Sequence, residues 1–477
     1  MKKRIIYLLA FLLPRCLPAQ SIVSLFEIVK EAKSQSPQYK LEATRKELSY
    51  FNYLTYKTDF KPQISIYGNA PVFSKQYSPV IQPNGSIAYL QIKQNLSSAG
   101  FSLSQKIPFT GGQISLNTEL NRFDDLLTKS YQYNGTPFFI RLYQPLFSTN
   151  SLKWSKKIEP LRLEEADKFY LLQMEGIAEH TCDLYFSVLE AQENIRISEL
   201  NLKNAEQNYT IEQKRVSLGT TTEDKLLQLE LQLLSTRQNI EKARYDYQIA
   251  LLNLKTTLGR KDTSDLKLII PDQLPAFDVN LDETIARAYK NRPEFVTLKR
   301  RSLEAQREVA IAKSEKQQIN LSATYGLNGA NAQLKQIYSS PKDQQTFAIG
   351  FNIPIIDWGR RRINLSVAQT NQKLIEYNNQ IDENNYIQQL ITLVKNIPIL
   401  RNNITVDQLR DSVALRRFTI ANKLYQNGKL TITDLNIAQA EKDNSRREYL
   451  RILRTFWDTY FLLRKLTLYD FVNKTDL

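Results

Sequence analysis

Few side chains in this sequence could carry out covalent or metal chemistry. His180 is the only histidine, and Cys16 and Cys182 are the only cysteines. Acidic neighbours such as Glu164 and Glu165 occur, but on a long charged helix such a pair usually faces solvent. Phosphate-binding loops, paired Cys-x-x-Cys ligands and the His-Glu-x-x-His and Gly-x-Ser-x-Gly motifs are all missing from the sequence. The sequence therefore predicts no enzyme, no cofactor and no metal site.

Asp434 is the acidic side chain in the most informative position. It lies three residues after Thr431, at the predicted start of a helix. A threonine at this place caps the helix, and an aspartate in the first turn interacts favourably with the helix dipole. Gly428 precedes both in a tight turn, and Gly219 lies in a matching turn 209 residues earlier. Capping alone accounts for Asp434, unless several copies of the chain bring their aspartates together.

Very long helices carry these two turns. Residues 151–258 predict an outgoing helix, a turn at Gly219 and a return helix, and residues 360–468 predict the same around Gly428. Apolar and small residues after each turn recur every seven positions, as in a coiled coil. After the first turn they are Leu226, Leu229, Leu233, Thr236, Ile240, Ala243, Tyr247, Ala250 and Leu254, and after the second they are Leu435, Ala438, Lys442, Ser445, Tyr449, Ile452, Phe456, Thr459 and Leu463.

The chain divides into two repeats of the same design. Each begins with short helices broken at a proline, Pro37 or Pro293, and continues with strands before its long hairpin. Because the first return helix is little more than half as long as the outgoing one, we expect the helix that follows Pro37 to stack end to end with it. Pro160 and Pro398 are expected to bend the outgoing helices. The predicted bounds are 20–260 for the first repeat (strands about 62–147, hairpin about 151–258), 261–280 for a linker, and 281–477 for the second repeat (strands about 319–356, hairpin about 360–468).

Alternating apolar and polar residues predict the strands. In the first repeat the pattern is clear at Ile64–Gly68, on both sides of the turn Phe109–Gly112, and in Phe139–Tyr143. Residues 71–100 are rich in proline, serine, asparagine and glutamine, and we expect them to form a loop.

Residues 1–19 are typical of a secretory signal peptide, with a basic start, an apolar stretch and a small residue, Ala19, before the cleavage point. A lipid anchor at Cys16 is the alternative, and Arg15 beside it disfavours this. The formal net charge of +15 would suit a nucleic-acid partner, but export favours a solvated basic surface, so no nucleic acid is expected. No later segment has the roughly 18 consecutive apolar residues of a transmembrane helix, so the mature chain would enter a membrane only through strands.

Two functions fit this arrangement. Strands from several identical chains could close a membrane barrel that continues into a tube of helices, whereas a few strands from one chain cannot. The chain would then be a conduit. The alternative is a structural coiled-coil scaffold, periplasmic or extracellular, without transport activity, whose strands form only a small cap. An apolar strand face flanked by aromatic residues would favour the membrane.

In the order, duplication and spacing of its motifs, the chain resembles the TolC-type outer membrane efflux protein family, over essentially the whole mature chain. The resemblance implies a fold that is mainly α with a β-barrel portion. It implies a homotrimer in which each chain gives four strands to a twelve-stranded outer-membrane β-barrel, continuous with a long α-helical coiled-coil tunnel. The paired segments that carry the resemblance are Leu25–Pro37 and Leu281–Pro293, Gln144–Phe147 and Ile353–Gly359, and Leu218–Thr222 and Asn427–Thr431.

The resemblance also implies an exit duct in the outer membrane of a Gram-negative bacterium, extending into the periplasm. Such a duct works in a tripartite efflux or type I secretion system, with a periplasmic adaptor protein and an inner-membrane transporter of RND or ABC type, and its barrel contacts outer-membrane lipid. The lone His180 and the single methionine of the mature chain, Met174, argue against a metal-lined route.

The two turns are the expected contact with the adaptor, because in sequence each lies as far as possible from the strands. In the family, an aspartate at the place of Asp434 helps to form a cation-attracting pore constriction, and three copies would bring three carboxylates together. The match is partial, because Ile437 stands where a second acid is expected and Lys225 occupies the equivalent place in the first repeat. The expected contact residues in the turns are Leu218, Gly219, Thr222, Asn427, Gly428 and Thr431.

Overall fold

The computed structural model describes residues 21–261, 266–315 and 318–477, and the predicted signal peptide, with Cys16, lies outside them. The described chain forms two compact units, and each takes segments from both repeats. We call them the helical unit and the sheet unit. The helical unit comprises the residues up to Arg45, Lys168–Arg292 and Asn385–Leu477, and the sheet unit comprises Lys46–Asp167 and Pro293–Asn384.

Helices and strands follow one another in an order that is nearly repeated. The first half contains β1 (Ser21–Val23), α1 (Leu25–Gln35), α2 (Pro37–Thr58), β2 (Gln63–Ile81), β3 (Ile87–Lys106), β4 (Gln113–Asp125), β5 (Ser130–Pro145), α3 (Ser151–Ser217) and α4 (Glu223–Leu258). The second half contains β6 (Leu266–Leu268), α5 (Leu281–Asn291), α6 (Pro293–Ser314), β7 (Gln318–Asn331), α7 (Leu334–Ser339), β8 (Lys342–Asn352), α8 (Arg360–Gln426), α9 (Ile432–Thr467), β9 (Tyr469–Asp470) and β10 (Thr475–Asp476).

The sheet unit contains one antiparallel sheet of six strands, in the order β2-β3-β4-β5-β7-β8. Four strands come from the first repeat and two come from the second. The resemblance implies four strands per chain, and this expectation is wrong for the described sheet. The reason is that the first repeat places two hairpins where the second repeat places one.

The segment 71–100 forms strands, so the predicted loop is also wrong. β2 and β3 pair with each other from Gln63 to Ile81 of β2. Pro71 lies at a shift in the register of the two strands, and both Pro71 and Pro79 lie in β2, which is an edge strand. A proline is tolerated at such positions because no neighbouring strand requires its missing N–H group. A composition typical of loops is therefore compatible with this long edge hairpin.

The long helices end within a residue or two of the predicted positions. α3 and α8 each contain 67 residues, and α4 and α9 each contain 36. Pro160 lies inside α3 and Pro398 inside α8, and both helices continue through them. Whether the prolines bend these helices stays a prediction. No described helix combines the length and the apolar character needed to cross a membrane.

Most residues of the seven-residue pattern of the return helices are buried in the helical unit, as expected for a coiled coil. The charged member of the pattern, Lys442, is buried as well. Its Nζ donates to Asn201 Oδ1 at 3.1 Å and lies 4.4 Å from the centre of the Phe418 ring. A buried lysine is tolerated here because its ammonium group has partners. The buried apolar members include Leu229, Leu233, Ile240, Leu254, Leu435, Tyr449, Phe456 and Leu463.

The return helices end against the short helices, within the helical unit. Gly259 ends α4 with a φ of 75°, and Pro37 at the start of α2 is so close that a Cβ on Gly259 would lie 3.1 Å from its Cδ. In the second repeat Arg292, just before α6, donates to the backbone oxygen of Lys465 at 2.5 Å, near the end of α9. These contacts confirm the predicted end-to-end junction.

Candidate functional site

In the half of the six-stranded sheet nearest the long helices, one face is mainly apolar and the other is mainly polar. Residues paired directly across neighbouring strands point to the same side, so one row runs from Ile64 through Leu103, Leu116 and Ile140 to Tyr325. Such a sheet suits lipid on one side and water on the other. The exposed residues of the apolar face are Ile64, Ile66, Phe101, Leu103, Ile114, Leu116, Ile140, Tyr325, Phe347, Ile349 and Phe351. The opposite face carries three aromatic residues, Tyr67, Phe139 and Tyr143, among the polar residues Ser65, Ser102, Ser104, Ser115, Asn117, Arg141, Ser322, Thr324 and Thr346.

Both edges of this sheet are unpaired among the described residues. β2 forms one edge and β8 forms the other. All the pairings in the sheet are antiparallel, so with six strands the two edge strands run in opposite directions. An edge strand exposes unpaired N–H and C=O groups. Antiparallel pairing of β8 with β2 of another copy would satisfy them.

The two glycine turns have the backbone that the sequence predicts. Gly219 and Gly428 have φ values of 68° and 72°, in the left-handed region that favours glycine. A Cβ on Gly219 would have no atom within 4 Å, and a Cβ on Gly428 would lie 3.8 Å from Arg215 Nη2. Leu218 is 76% exposed. The backbone conformation, rather than close packing, is therefore what requires glycine at both places.

The two turns are joined by four side chains, Glu212, Arg215, Thr221 and Tyr425, which we call the turn cluster. The carboxylate of Glu212 is buried and accepts three hydrogen bonds: from Thr221 Oγ1 at 2.6 Å, from the Tyr425 hydroxyl at 3.1 Å and from Arg215 Nη1 at 3.1 Å. Tyr425 is also buried, near the end of α8. One carboxylate therefore connects the end of the first hairpin to the end of the second.

Arg215 makes a second connection between the hairpins. Its Nη2 donates to the backbone oxygens of Tyr425 at 3.0 Å and Gln426 at 2.9 Å. The guanidinium group also lies 5.4 Å from the centre of the Tyr425 ring. The last carbonyl groups of a helix lack partners within the helix, so the first hairpin caps the outgoing helix of the second.

The turn cluster keeps Glu212 ionised and Tyr425 neutral. Burial is the largest influence on Glu212 and opposes its ionisation, but the hydrogen bonds from Thr221, Tyr425 and Arg215 outweigh burial and lower the pKa of Glu212. Burial and the neighbouring Glu212 charge raise the pKa of Tyr425 well above its usual range. The hydroxyl of Tyr425 therefore stays a donor to the Glu212 carboxylate at neutral pH.

An open cleft of about 580 Å³ lies beside the turn cluster. It brings together three of the predicted contact residues, Asn427, Gly428 and Thr431, with Thr220 and Asp224 of the first hairpin. Leu218, Gly219 and Thr222 are not among the residues that line it, although they belong to the same turn as Thr220. The contact of the turns with an adaptor stays a prediction.

Asp434 has the geometry of a helix cap. Thr431 Oγ1 donates to Asp434 Oδ2 at 2.6 Å, and the backbone N–H of Asp434 donates to Thr431 Oγ1 at 3.1 Å. These are the capping contacts that the sequence predicts at the start of α9. A role for Asp434 in a pore constriction stays a prediction.

Sequence reasoning missed Glu212 and Tyr425. Neither is duplicated, because the equivalent positions in the other repeat hold Ala421 and Val216. Glu212 and Arg215 are three residues apart, which resembles an ordinary ion pair on a helix surface. The available signal was Tyr425 itself, a large aromatic residue shortly before a glycine turn.

Within the described ranges, no three His, Cys, Asp or Glu side chains are grouped so that they could hold a metal ion. His180 is exposed, and Met174 is buried. The two residues therefore do not form a shared site.

The sequence matches the family model described as outer membrane efflux protein over residues 88–260 and 284–466. These two ranges make up more than half of the chain. The chain therefore belongs to the outer membrane efflux protein family, which confirms the resemblance to TolC-type proteins. It is an outer-membrane protein of a Gram-negative bacterium and extends into the periplasm. The family consists of efflux channels rather than enzymes.

Two curated relatives are named for outer-membrane and cation efflux roles. The probable outer membrane lipoprotein SilC of Salmonella typhimurium is 28% identical over 205 residues, which cover 41% of this chain and 43% of SilC. The cation efflux system protein CusC of Escherichia coli (strain K12) is 23% identical over 289 residues, which cover 59% of this chain and 60% of CusC. Each match thus spans less than two thirds of the relative.

Solved structures share the fold over nearly the whole chain. Crystal structures of CusC align with a TM-score of 0.66 at 16% identity, covering 93% of this chain and 91% of CusC. The CmeC outer membrane channel of Campylobacter jejuni aligns with a TM-score of 0.68 at 16% identity, covering 93% of this chain and 85% of CmeC. At this identity the likeness concerns the fold, which is that of outer-membrane channels.

Proposed function

We propose that three copies of this chain form the outer-membrane exit duct of an efflux system. The observation that carries this proposal is the six-stranded sheet, which has two free edges of opposite direction and, near the long helices, a mainly apolar face and a mainly polar face. A closed ring of such sheets presents its apolar faces to lipid and encloses a polar lumen. Family membership supports the same function.

The trimer is supported by the geometry of the edges. A six-stranded sheet alone makes too narrow a cylinder for transport, and antiparallel closure through β8 and β2 of successive copies removes every edge. Three copies at six strands each close with eighteen strands, rather than the twelve that the resemblance implies. The lumen would be about half as wide again, because barrel diameter grows roughly linearly with strand number.

The duct operates with a periplasmic adaptor protein and an inner-membrane transporter of RND or ABC type, in a tripartite efflux or type I secretion system. CusC, a similar protein, is named for a cation efflux system. A metal-lined route is not part of the proposal for this chain, since its described residues contain no cluster of three or more His, Cys, Asp or Glu side chains that could hold a metal ion. The proposal leaves the chemical nature of the cargo open.

Size measurement and conductance test the proposal together. In detergent, after correction for the micelle, the mass should correspond to three chains, and the same material should conduct ions in planar bilayers. A stable monomer that conducts would contradict the trimer. A trimer that never conducts and does not support efflux would instead favour the structural scaffold.

The turn cluster holds the periplasmic end of the duct closed in this proposal. Because the Tyr425 hydroxyl donates to Glu212 across the two hairpins, Tyr425→Phe removes one connection and preserves the ring. It should raise the open probability in planar bilayers by about tenfold, on the roughly 1.5 kcal/mol of a hydrogen bond to a charged group. Tyr245→Phe is the matched control, because Tyr245 is exposed on α4. An equal increase in open probability in both variants would contradict a role for Tyr425 in keeping the duct closed.

The cleft between the turns is the proposed adaptor contact. A bulky residue in either turn, in Leu218→Trp or Asn427→Trp, should reduce efflux while the yield of trimer stays unchanged. Full efflux in both variants would place the adaptor contact elsewhere.

A further inference from the structure

The end of the sheet from which the long helices start carries three exposed aromatic residues. Phe147 and Trp358 lie in the two segments that lead from β5 into α3 and from β8 into α8, and Phe109 lies in the turn between β3 and β4. Their exposed fractions are 66%, 93% and 93%, respectively. The strand registers place all three at the same end of the sheet. Lys106 pairs with Gln113, which pairs with Tyr143, and two residues on Pro145 pairs with Asn320, which pairs with Gly350 of β8.

The exposure of these rings is built into the backbone. Phe147 and Trp358 have φ values of 51° and 52°, in the left-handed region that residues with side chains avoid. The turn that carries Phe109 is fixed as well, because Asn150 Nδ2 donates to the backbone oxygens of Pro108 at 2.8 Å and Phe109 at 3.2 Å. The corresponding segments of the two repeats thus each hold an aromatic side chain outward in the same unfavourable backbone conformation.

Unpaired cations follow each of these aromatic residues. After Phe147, Lys153 and Lys156 are exposed in the first turns of α3, and after Trp358, Arg360 and Arg362 are exposed in the first turn of α8. Among the described residues these four side chains have no acidic partner, whereas the neighbouring Arg361 pairs with Asp357 at 2.6 Å.

The order of these side chains matches the order of groups at a membrane surface. The apolar sheet face ends at this rim with Phe351 and Ile319, which pair across β7 and β8. The exposed aromatic rings come next, and the cations come after them. Acyl chains, the interface and phosphate groups follow one another in the same order, and each attracts the corresponding class of side chain.

From this arrangement we infer that Phe109, Phe147, Trp358 and the four cations Lys153, Lys156, Arg360 and Arg362 form a collar that binds anionic phospholipid. The phospholipid belongs to the leaflet that faces the helices. The aromatic rings enter the boundary between acyl chains and headgroups, and the cations bind the phosphate oxygens, which a guanidinium group can do with two parallel hydrogen bonds. The inference rests on the proposed function, because it requires the sheet to lie in a membrane.

The position of Trp358 tests the collar directly. The full-length protein is placed in nanodiscs whose phospholipids carry bromine either near the headgroup or near the end of the acyl chain, and the fluorescence of the wild type is compared with that of Trp358→Phe. The difference isolates Trp358 from the other tryptophans. We expect shallow bromine to quench this difference about twofold more than deep bromine.

A second tryptophan position separates this inference from the proposed function. Ile66→Trp, in the Trp358→Phe background, places a ring on the apolar sheet face, where deep bromine should quench it. Quenching of this introduced ring without quenching of Trp358 would overturn the collar and leave the membrane sheet in place. No quenching at either position would overturn the proposed function.

The headgroup is tested by binding. Wild-type protein should retain phosphatidylglycerol in preference to phosphatidylcholine during purification, and Arg360→Gln combined with Arg362→Gln should lower this preference about tenfold. Arg416→Gln with Lys203→Gln is the matched control, because it removes the same charge from exposed positions on the long helices. Equal loss in both variants, or displacement of the lipid by millimolar inorganic phosphate, would overturn the assignment to phospholipid.

Discussion

The two proposed repeats agree in their helices and differ in their strands. Their outgoing helices are both 67 residues long and their return helices both 36, while the first repeat has four strands in the sheet and the second has two. The turn cluster explains the first observation, since Glu212 and Tyr425 can meet only if both hairpins end together. An antiparallel sheet has no such constraint, because an added hairpin leaves its other pairings unchanged.

The equal hairpins also differ at single positions that correspond by the same 209-residue offset. Leu233, Ile249 and Lys225 of the first hairpin correspond to Lys442, Asp458 and Asp434 of the second. The two hairpins thus have helices of equal length but carry different side-chain charges at these corresponding positions. Exchanging the members of these pairs measures how much each hairpin depends on its own side chains.

The largest effect is expected from Leu233→Lys. Leu233 is buried in the seven-residue pattern of α4. The 209-residue offset places Leu234 and Arg410 where Lys442 has its partners Asp443 and Asn201, so a lysine at 233 would lack both partners. The free energy of unfolding should fall by about 2–4 kcal/mol, as for other unpaired buried charges. The reverse change, Lys442→Leu made together with Asp443→Asn, should alter it by less than about 1 kcal/mol, because both members of the buried ion pair between Lys442 and Asp443 are then removed. Equal changes in the free energy of unfolding, measured by urea titration, would show that the seven-residue patterns of α4 and α9 tolerate charge equally.

The two turn glycines should respond alike. Gly219→Ala and Gly428→Ala each force a Cβ into the left-handed backbone region, at a cost of about 1–2 kcal/mol in stability. Since neither added Cβ clashes with a neighbour, thermal unfolding should show nearly equal losses. A much larger loss at Gly428 would indicate that the contact with Arg215 matters more than the backbone.

Asp458 should make the stability of the second hairpin depend on pH. Burial and the charge of Asp183 raise the pKa of Asp458 to about 6, although Cys182 and Arg454 act in the opposite direction. The folded state then binds this proton more tightly than the unfolded state, so stability is lost as the pH rises from about 4 to above 6. Asp458→Asn should have nearly the wild-type melting temperature at pH 4 and exceed it by about 1–3 °C at pH 8.

The first hairpin supplies the control for this pH effect. Ile249 occupies the equivalent position and does not titrate, so Ile249→Asn should change the melting temperature by the same amount at pH 4 and pH 8. A pH-independent shift in Asp458→Asn would show that Asp458 is not the responsible group.

The smallest effect on stability is expected from Asp434→Asn. Asparagine keeps the hydrogen bonds to Thr431 and loses only the interaction of the charge with the helix dipole, about 0.5 kcal/mol. If three copies of Asp434 line a constriction, cation selectivity and divalent-cation block in planar bilayers should nevertheless weaken. Lys225→Gln, the matched change in the first hairpin, should strengthen cation selectivity. Unchanged selectivity with a clearly less stable trimer would make Asp434 a cap only.

The sequence predicted long-range periodicity well and local exceptions poorly. The residues of the seven-residue pattern and the glycine turns could be predicted from the sequence, because the spacing of the pattern is repeated over many turns of helix. The β2–β3 hairpin could not be predicted, because prolines such as Pro71 and Pro79 indicate a loop unless the strand is known to lie at the edge of a sheet. Glu212 and Tyr425 were hidden for another reason: their contact joins two hairpins that are far apart in sequence, and no pattern within one helix indicates it.

If copies of the sheet close into one barrel, as proposed, the opposite directions of β2 and β8 would allow strands to be added or lost only in pairs. Adding one strand to the sheet would make its two edges parallel and break the alternation on closure, whereas adding two restores it. The sheet of such a protein can therefore widen or narrow only in whole hairpins. Across three copies the smallest possible step is six strands, so the width of the duct would evolve in discrete sizes rather than gradually.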